Sequence, residues 1–122
     1  MTNSDRVLAF IAAWEARDVE AILAGLTQDA VYLNVGLSGS RGHDAIRAAI
    51  TPFLAGASAV HWSVHHLAET PAGVVLTERT DDFVMGPKTI SVPVMGVFEF
   101  RGDLIAAWRD YFDLPGFQTQ VS

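Results

Sequence analysis

The chain has 122 residues, half of them hydrophobic and 18% charged, and its formal net charge is −6. Length and composition together predict one compact domain over residues 1–122 with a substantial apolar core. Eight Lys and Arg residues argue against a nucleic-acid partner, and the lack of cysteine excludes disulfides, thiolate metal sites and a cysteine nucleophile.

The segment Met1–Arg17 lacks the pattern of a signal peptide or a membrane span. Both kinds of segment need an uninterrupted apolar stretch. Here four charged residues interrupt the apolar positions, namely Asp5, Arg6, Glu15 and Arg17. We therefore expect a cytoplasmic protein with no membrane partner and with a neutral small molecule as its ligand.

Two helices are predicted at the start of the chain. Ser4 is the expected N-cap of the first, in which apolar residues recur at the spacing of a buried helical stripe: Val7, Phe10, Ile11 and Trp14. Asp18 is placed to cap a short second helix over Val19–Leu23, and Gly25 is placed to end it. We assign Phe10 and Trp14 to the core.

A short strand and a third helix come next. Ala30–Leu33 has a strand pattern, and a loop over residues 35–40 leads to a helix entry at Arg41–Asp44. A second helical stripe follows, formed by Ile46, Ala49, Ile50, Phe53 and Leu54, and we assign Phe53 to the core as well. Pro52 lies inside this stripe, and we expect it to kink or shorten the helix because proline has no backbone N–H to donate.

From Val60 onward the pattern changes to alternating apolar and polar residues rich in β-formers. Three turn clusters interrupt it: Thr70–Gly73, Met85–Lys88 and Arg101–Asp103. This pattern predicts four long strands joined by three successive hairpins. Helices at the front and an antiparallel meander behind them define an α+β domain, with the helices packed on one side of a curved sheet.

Three charged residues are candidates for chemistry. Alternation along the second long strand places Arg79 and Asp81 on one face. In the last strand, Asp110 lies between two aromatic residues on the face that we expect to be buried. A buried carboxylate needs a partner such as Arg79, and two carboxylates in one apolar site titrate apart, which gives one acid and one base. A structural ion-pair network explains the same pattern, and both interpretations stay open here.

Tyr32 and Asn34 form a second polar pair. They are two positions apart on the predicted short strand, so they share a face and together could orient one water molecule. A turn-forming Asn beside a half-buried Tyr is the alternative interpretation.

Three histidines, His61, His65 and His66, invite a metal-binding interpretation. Strand alternation places His65 and His66 on opposite faces, and no carboxylate lies at a recognised ligand spacing. We therefore expect neither a metal nor another cofactor.

Three separated motifs occur in the order of one known family: Tyr32-Leu33-Asn34, Glu78-Arg79-Thr80-Asp81 and Trp108–Asp113, with Val94–Phe100 before the last. In these motifs, and over nearly its whole length, the chain resembles the limonene-1,2-epoxide hydrolases. The resemblance implies the cone-shaped, cystatin-like fold of nuclear transport factor 2, ketosteroid isomerases and polyketide cyclases, in which three to four helices pack over a curved, mixed and mainly antiparallel sheet. It also implies a homodimer. The chain starts almost directly at its first helix, whereas some members carry an N-terminal extension.

The resemblance also implies catalytic roles. Asp110 is the base that deprotonates a water molecule, and Tyr32 and Asn34 hold that water. Asp81, kept protonated, gives its proton to the epoxide oxygen, while Arg79 bridges the two carboxylates. Water attacks directly, so no covalent ester intermediate is expected.

Six apolar residues have the strand parity or the C-terminal position to line a pocket around these groups: Phe83, Val92, Val94, Trp108, Phe112 and Phe117. Each could equally be plain core. Apolar walls with a few polar groups favour a hydrophobic, cyclic or aryl-substituted epoxide as substrate. A ketosteroid-isomerase-like or cyclase-like enzyme is one alternative, although such enzymes need a donor to an enolate oxygen. A non-catalytic small-molecule-binding module of the same fold is the other.

Overall fold

Helices dominate the first half of the chain and long strands the second. The computed structural model describes all 122 residues. Its elements are α1 (Asn3–Glu15), α2 (Val19–Ala24), β1 (Leu26–Asn34), β2 (Ser40–Arg41), α3 (His43–Gly56), β3 (Ala57–Glu69), β4 (Val75–Met85), β5 (Lys88–Arg101), β6 (Leu104–Phe112) and α4 (Leu114–Val121). The predicted α+β class and the four long strands in three hairpins are confirmed. No helix has the length and apolar character needed to cross a lipid bilayer.

The six strands form one curled, unclosed sheet in the order β2-β1-β6-β5-β4-β3. The part from β3 to β6 is the predicted antiparallel meander. Strand β1 pairs in parallel with β6, which makes the sheet mixed and brings the first strand beside the last. In this pairing Tyr32 lies opposite Trp108, and Asn34 lies opposite Asp110.

The core forms where the stripe of α1 packs against the sheet. All four predicted stripe residues of α1 are buried. The rings of Phe10 and Trp14 meet the Trp108 ring edge-on, at centroid distances of 5.1 and 5.4 Å. Large aromatic side chains bury more apolar area than any others, so these contacts hold α1 against β6.

The first helix begins earlier than predicted. Its N-cap is Thr2, whose hydroxyl accepts from the Asp5 amide at 3.0 Å, while the Thr2 amide donates to the Asp5 carboxylate at 3.0 Å. This reciprocal box satisfies two backbone donors, which a cap at Ser4 does not. The prediction of Ser4 was wrong, and Ser4 instead donates through its amide and hydroxyl to Glu69.

Two further element boundaries differ from the sequence predictions. Strand β1 covers Leu26–Asn34 instead of Ala30–Leu33, because pairing with β6 begins at Leu26 opposite Ile105. Helix α3 runs four residues beyond Pro52 to Gly56, so the proline does not shorten it. Ile50 and Leu54 are buried on either side of Pro52, and their packing keeps the turn helical although one hydrogen bond is lost.

Candidate active site

Arg79, Asp81 and Asp110 converge on the inner face of the sheet, although their strands β4 and β6 are separated by β5. Their exposed fractions are 1%, 4% and 5%. Arg79 donates from Nε to Oδ1 of Asp81 at 3.0 Å and from Nη2 to Oδ2 of Asp81 at 2.8 Å. The same Nη2 donates to Oδ2 of Asp110 at 3.2 Å. One guanidinium therefore faces two buried carboxyl groups.

The proton affinity of both carboxyl groups is increased. Burial raises the pKa of Asp81 to about 6, although the hydrogen bond and charge of Arg79 act in the opposite direction. Burial also raises the pKa of Asp110, again against the charge of Arg79. For Arg79, burial favours the neutral form, but the two carboxylates outweigh it and raise its pKa, so it stays charged. Because a single cation faces two carboxyl groups whose pKa values are both raised, the pair is suited to hold one proton between them.

Tyr32 and Asn34 lie on β1, which pairs in parallel with β6, and this pairing brings them beside Asp110. The Asn34 side-chain amide donates to the Tyr32 hydroxyl at 2.8 Å, so the two side chains form one unit. Burial and the nearby charge of Asp110 raise the pKa of Tyr32, which keeps its hydroxyl protonated. The Tyr32 hydroxyl is therefore a hydrogen-bond donor next to a base candidate.

Trp108 supports the site from behind and is not part of its wall. Its indole Nε1 donates to Oδ1 of Asp110 at 3.0 Å. The Tyr32 ring stacks on it at a centroid distance of 4.1 Å, which separates Trp108 from the cavity. The prediction that Trp108 lines the pocket was wrong, because strand parity identifies the inner face but not which inner residues another ring covers.

The polar groups open into one cavity of about 330 Å³. Its polar members include the buried Asp81 and Asp110 and the half-buried Tyr32 and Asn34. Five of the six predicted wall residues line it: Phe83, Val92, Val94, Phe112 and Phe117. The volume is at the lower end of the range for small-molecule sites and suits a compact ligand.

Helices α1 and α3, the β1–β2 segment and β3 supply wall residues that the sequence analysis missed. Trp14 and Phe53, which were assigned to the core, line the cavity together with Leu37, Ser38, Ser40, Ala49, Ile50 and Trp62. Helical periodicity marked the buried faces of α1 and α3 but carries no information on whether such a face meets protein or a void. The Trp14 and Trp62 rings stack at 5.1 Å, and neither indole N–H has a hydrogen-bond partner.

The histidines lie away from this cavity. A β-bulge between Val64 and His66 shifts the register of β3. The extra residue, His65, reaches Thr80 Oγ1 at 2.7 Å, and His66 lies 3.9 Å from Glu78, so both turn towards the outer face. The prediction of opposite faces was wrong because a bulge breaks strict alternation. No three histidine or carboxylate side chains converge as a metal site requires.

The protein has the fold of nuclear transport factor 2-like and SnoaL-like proteins. A protein of Catenulispora acidiphila with a ketosteroid isomerase-like fold superposes with a TM-score of 0.85 at 21% identity, covering 98% of this chain and 93% of its own. A SnoaL-like protein of Shewanella denitrificans gives a TM-score of 0.86 at 15% identity, with coverages of 98% and 96%. At these identities, the similarity establishes the fold alone.

A narrower assignment comes from the sequence. The model of the limonene-1,2-epoxide hydrolase catalytic domain matches residues 1–121. Epoxide hydrolase EphG of Mycobacterium tuberculosis is 38% identical over 108 residues, which cover 88% of this chain and 71% of EphG. A solved epoxide hydrolase of M. tuberculosis, similar to limonene-1,2-epoxide hydrolase, has a TM-score of 0.82 at 33% identity, covering 96% of this chain and 90% of its own. The chain belongs to the limonene-1,2-epoxide hydrolase family.

Proposed function

We propose that the protein hydrolyses a hydrophobic epoxide to a vicinal diol by general acid and base catalysis. The observation that carries this proposal is the pairing of two buried carboxyl groups with one arginine at the polar part of an apolar cavity. Opening an epoxide requires a base at the attacking water and an acid at the ring oxygen in the same step. A carboxyl pair that holds one proton supplies both.

The roles divide by position. Asp110 is the base, because it lies opposite Asn34 in the β1–β6 register and beside the Tyr32 hydroxyl, where these groups can hold one water molecule. Asp81 is the acid and donates its proton to the epoxide oxygen. Both carboxyls contact Nη2 of Arg79, so the shared proton can reside on either, and the reactive form has Asp110 ionised and Asp81 protonated. Arg79 stabilises that negative charge.

The cavity walls restrict the substrate class. Seven aromatic residues line the walls, and apart from the catalytic groups the polar side chains there are two serines, Ser38 and Ser40, and the indole N–H groups of Trp14 and Trp62. Such a cavity favours an epoxide with a cyclic or aryl substituent and few further polar groups. A panel of aryl, cyclic and short polar epoxides, followed by diol formation, tests this directly. Conversion of an enone without hydration of any epoxide would reassign the protein to an isomerase on the same fold.

Direct attack by water distinguishes this mechanism from a covalent one. In a single turnover in ¹⁸O-labelled water, the label should appear in the diol and in no protein carboxyl group. Mass spectrometry of the diol and of the peptides that contain Asp81 and Asp110 measures both. Label in either aspartate would identify an ester intermediate and contradict the proposed mechanism.

We also propose that the protein is a homodimer that associates through the outer face of the sheet. On that face Met95 and Tyr111 are register partners and are 48% and 47% exposed. Neighbouring exposed apolar side chains favour association. Light scattering after size exclusion should give a dimer mass for the wild type and a monomer mass for Met95→Glu. A monomeric wild type would overturn this proposal. Residence in the cytoplasm stays a prediction from the sequence.

A further inference from the structure

Gly96 occupies the middle of the catalytic group without contributing a side chain. It lies on β5, opposite Thr77 of β4 on one side and opposite Asp110 of β6 on the other. A Cβ atom at Gly96 would overlap Nη1 of Arg79 and would lie 2.9 Å from both Asp110 Oδ1 and Thr77 Oγ1. Real Cβ atoms do not approach other atoms this closely. The backbone of Gly96 is not in the left-handed region. Glycine is therefore required here because there is no room for a Cβ atom, and not because of the backbone conformation.

Thr77 binds the one guanidinium nitrogen that the carboxylates leave free. Its buried hydroxyl accepts from Nη1 of Arg79 at 3.0 Å. With Nε bound to Asp81, and Nη2 bound to Asp81 and Asp110, every nitrogen of the guanidinium has an acceptor. The Trp62 ring, 4.4 Å from the guanidinium carbon, closes one side. The orientation of the guanidinium is therefore fixed from several directions.

We propose that Thr77 and Gly96 are positioning residues for the hydrolysis and together form a seat for Arg79. The seat keeps Nη2 within hydrogen-bonding distance of both Asp81 and Asp110, so that the guanidinium stabilises both carboxyl groups and not only one. A guanidinium displaced from Asp110 would leave that buried group without its counter-charge, which would raise its pKa and reduce the ionised fraction that can act as the base. This inference rests on the proposed function, since it assigns a role within the same site.

The mildest test removes one contact. Thr77→Val keeps the shape of the side chain and deletes the hydroxyl, whereas Thr77→Ser keeps the hydroxyl. Thr77 does not line the cavity. We therefore expect Thr77→Val to lower kcat about ten- to hundredfold, the range for one hydrogen bond to a charged group, with KM within about twofold. Thr77→Ser should restore most of the loss. Equal kcat in wild type and Thr77→Val would overturn the role of Thr77.

The stronger test fills the seat. Gly96→Ala should lower kcat by more than about a hundredfold because its methyl group separates Arg79 from Asp110. Gly56→Ala is the matched control, since a Cβ there meets only Met85 Cε at 3.5 Å, and we expect it to keep wild-type activity. Should Gly96→Ala fail to fold, the comparison of Thr77→Val with Thr77→Ser decides the proposal.

A readout independent of turnover separates this inference from the proposed function. The aspartate carboxyl groups can be titrated by carbon-13 NMR in wild type, Thr77→Val and Gly96→Ala. We expect Gly96→Ala to raise the pKa of Asp110 beyond its already raised value, and Thr77→Val to shift at least one of the two carboxyl titrations. If the wild type hydrates no epoxide, the proposed function is wrong. The titrations would still test whether Thr77 and Gly96 position Arg79. Unchanged titrations in both variants overturn the seat whatever the activity.

Discussion

Two cavities of the protein are similar in size and very different in chemistry. The cavity that contains Asp81 and Asp110 measures about 330 Å³ and the second about 300 Å³. The second lies between α1, α2 and the β5–β6 hairpin, and most of its walls are apolar too. Its charged members, Arg6 and Asp103, bind each other at 3.1 Å, and the Asp103 side chain is 82% exposed. At the first cavity, one buried cation, Arg79, forms ion pairs with two buried carboxyl groups, those of Asp81 and Asp110. Volume and apolar walls therefore do not distinguish the sites, whereas the imbalance of buried charge does.

The two charge arrangements also affect stability in opposite ways. A surface pair such as Arg6–Asp103 contributes about 0–1 kcal/mol. The pKa of Asp81 is raised from 3.8 to about 6, so the folded state binds that proton more tightly than the unfolded state. Its contribution to the free energy of unfolding is greatest below about pH 4 and is lost as the pH rises through about 6. At neutral pH the catalytic acids thus reduce stability, a cost that packing elsewhere must offset.

The largest expected effect is that of removing the base from the first cavity. Asp110→Asn should lower kcat about a thousandfold, because the amide cannot take a proton from water. Steady-state diol formation measures the change. Far-ultraviolet circular dichroism should stay that of the wild type, since the amide can still accept from the Trp108 indole. Turnover near the wild-type rate would remove Asp110 from the mechanism.

A smaller effect should accompany acidification. The raised pKa of Asp81, about 6, and the raised pKa of Asp110 mean that both carboxyls are protonated at lower pH, which leaves no base. The value of kcat/KM should therefore fall about tenfold per unit below about pH 6. Rates measured from pH 4.5 to 8.5 test this. A decline that begins only near pH 4 would show that the two acids do not share a buried site.

The smallest effect is expected at the second cavity. Arg6→Ala breaks the exposed pair with Asp103, so kcat should stay within about twofold and the free energy of unfolding within about 1 kcal/mol of the wild type. Diol assays and urea denaturation measure both quantities. A loss comparable to that of Asp110→Asn would mean that the second cavity takes part in the reaction and that the two cavities do not differ in role.

The sequence could predict the inward side chains because strand alternation has a fixed period. Arg79 and Asp81 lie two residues apart on a regular strand, so their shared face follows from counting. Alternation along β6 likewise places Asp110 on the inner face of the sheet. The distance from Asp110 to Arg79 and Asp81 does not follow from strand alternation. It depends on the position of β5 between β4 and β6 and on the absence of a side chain at Gly96.

Other parts depended on contacts that no local pattern contains. The bulge at His65 changes the direction of one side chain without any glycine or proline to mark it. Trp14 is packed in the core and also lines the cavity because of where α1 crosses the sheet. The N-cap at Thr2 had a signal that was missed, namely an acidic residue three positions later.

The parallel pairing of β1 with β6 has a consequence for biosynthesis. Asn34 and Asp110 are neighbours in space but are separated by most of the polypeptide, so their contact is among those of highest sequence separation. A nascent chain that has not yet emerged through β6 has neither the base nor the strand against which β1 aligns. Catalytic competence should therefore appear only in the last stage of folding, and turnover would serve as a sensitive reporter of complete folding.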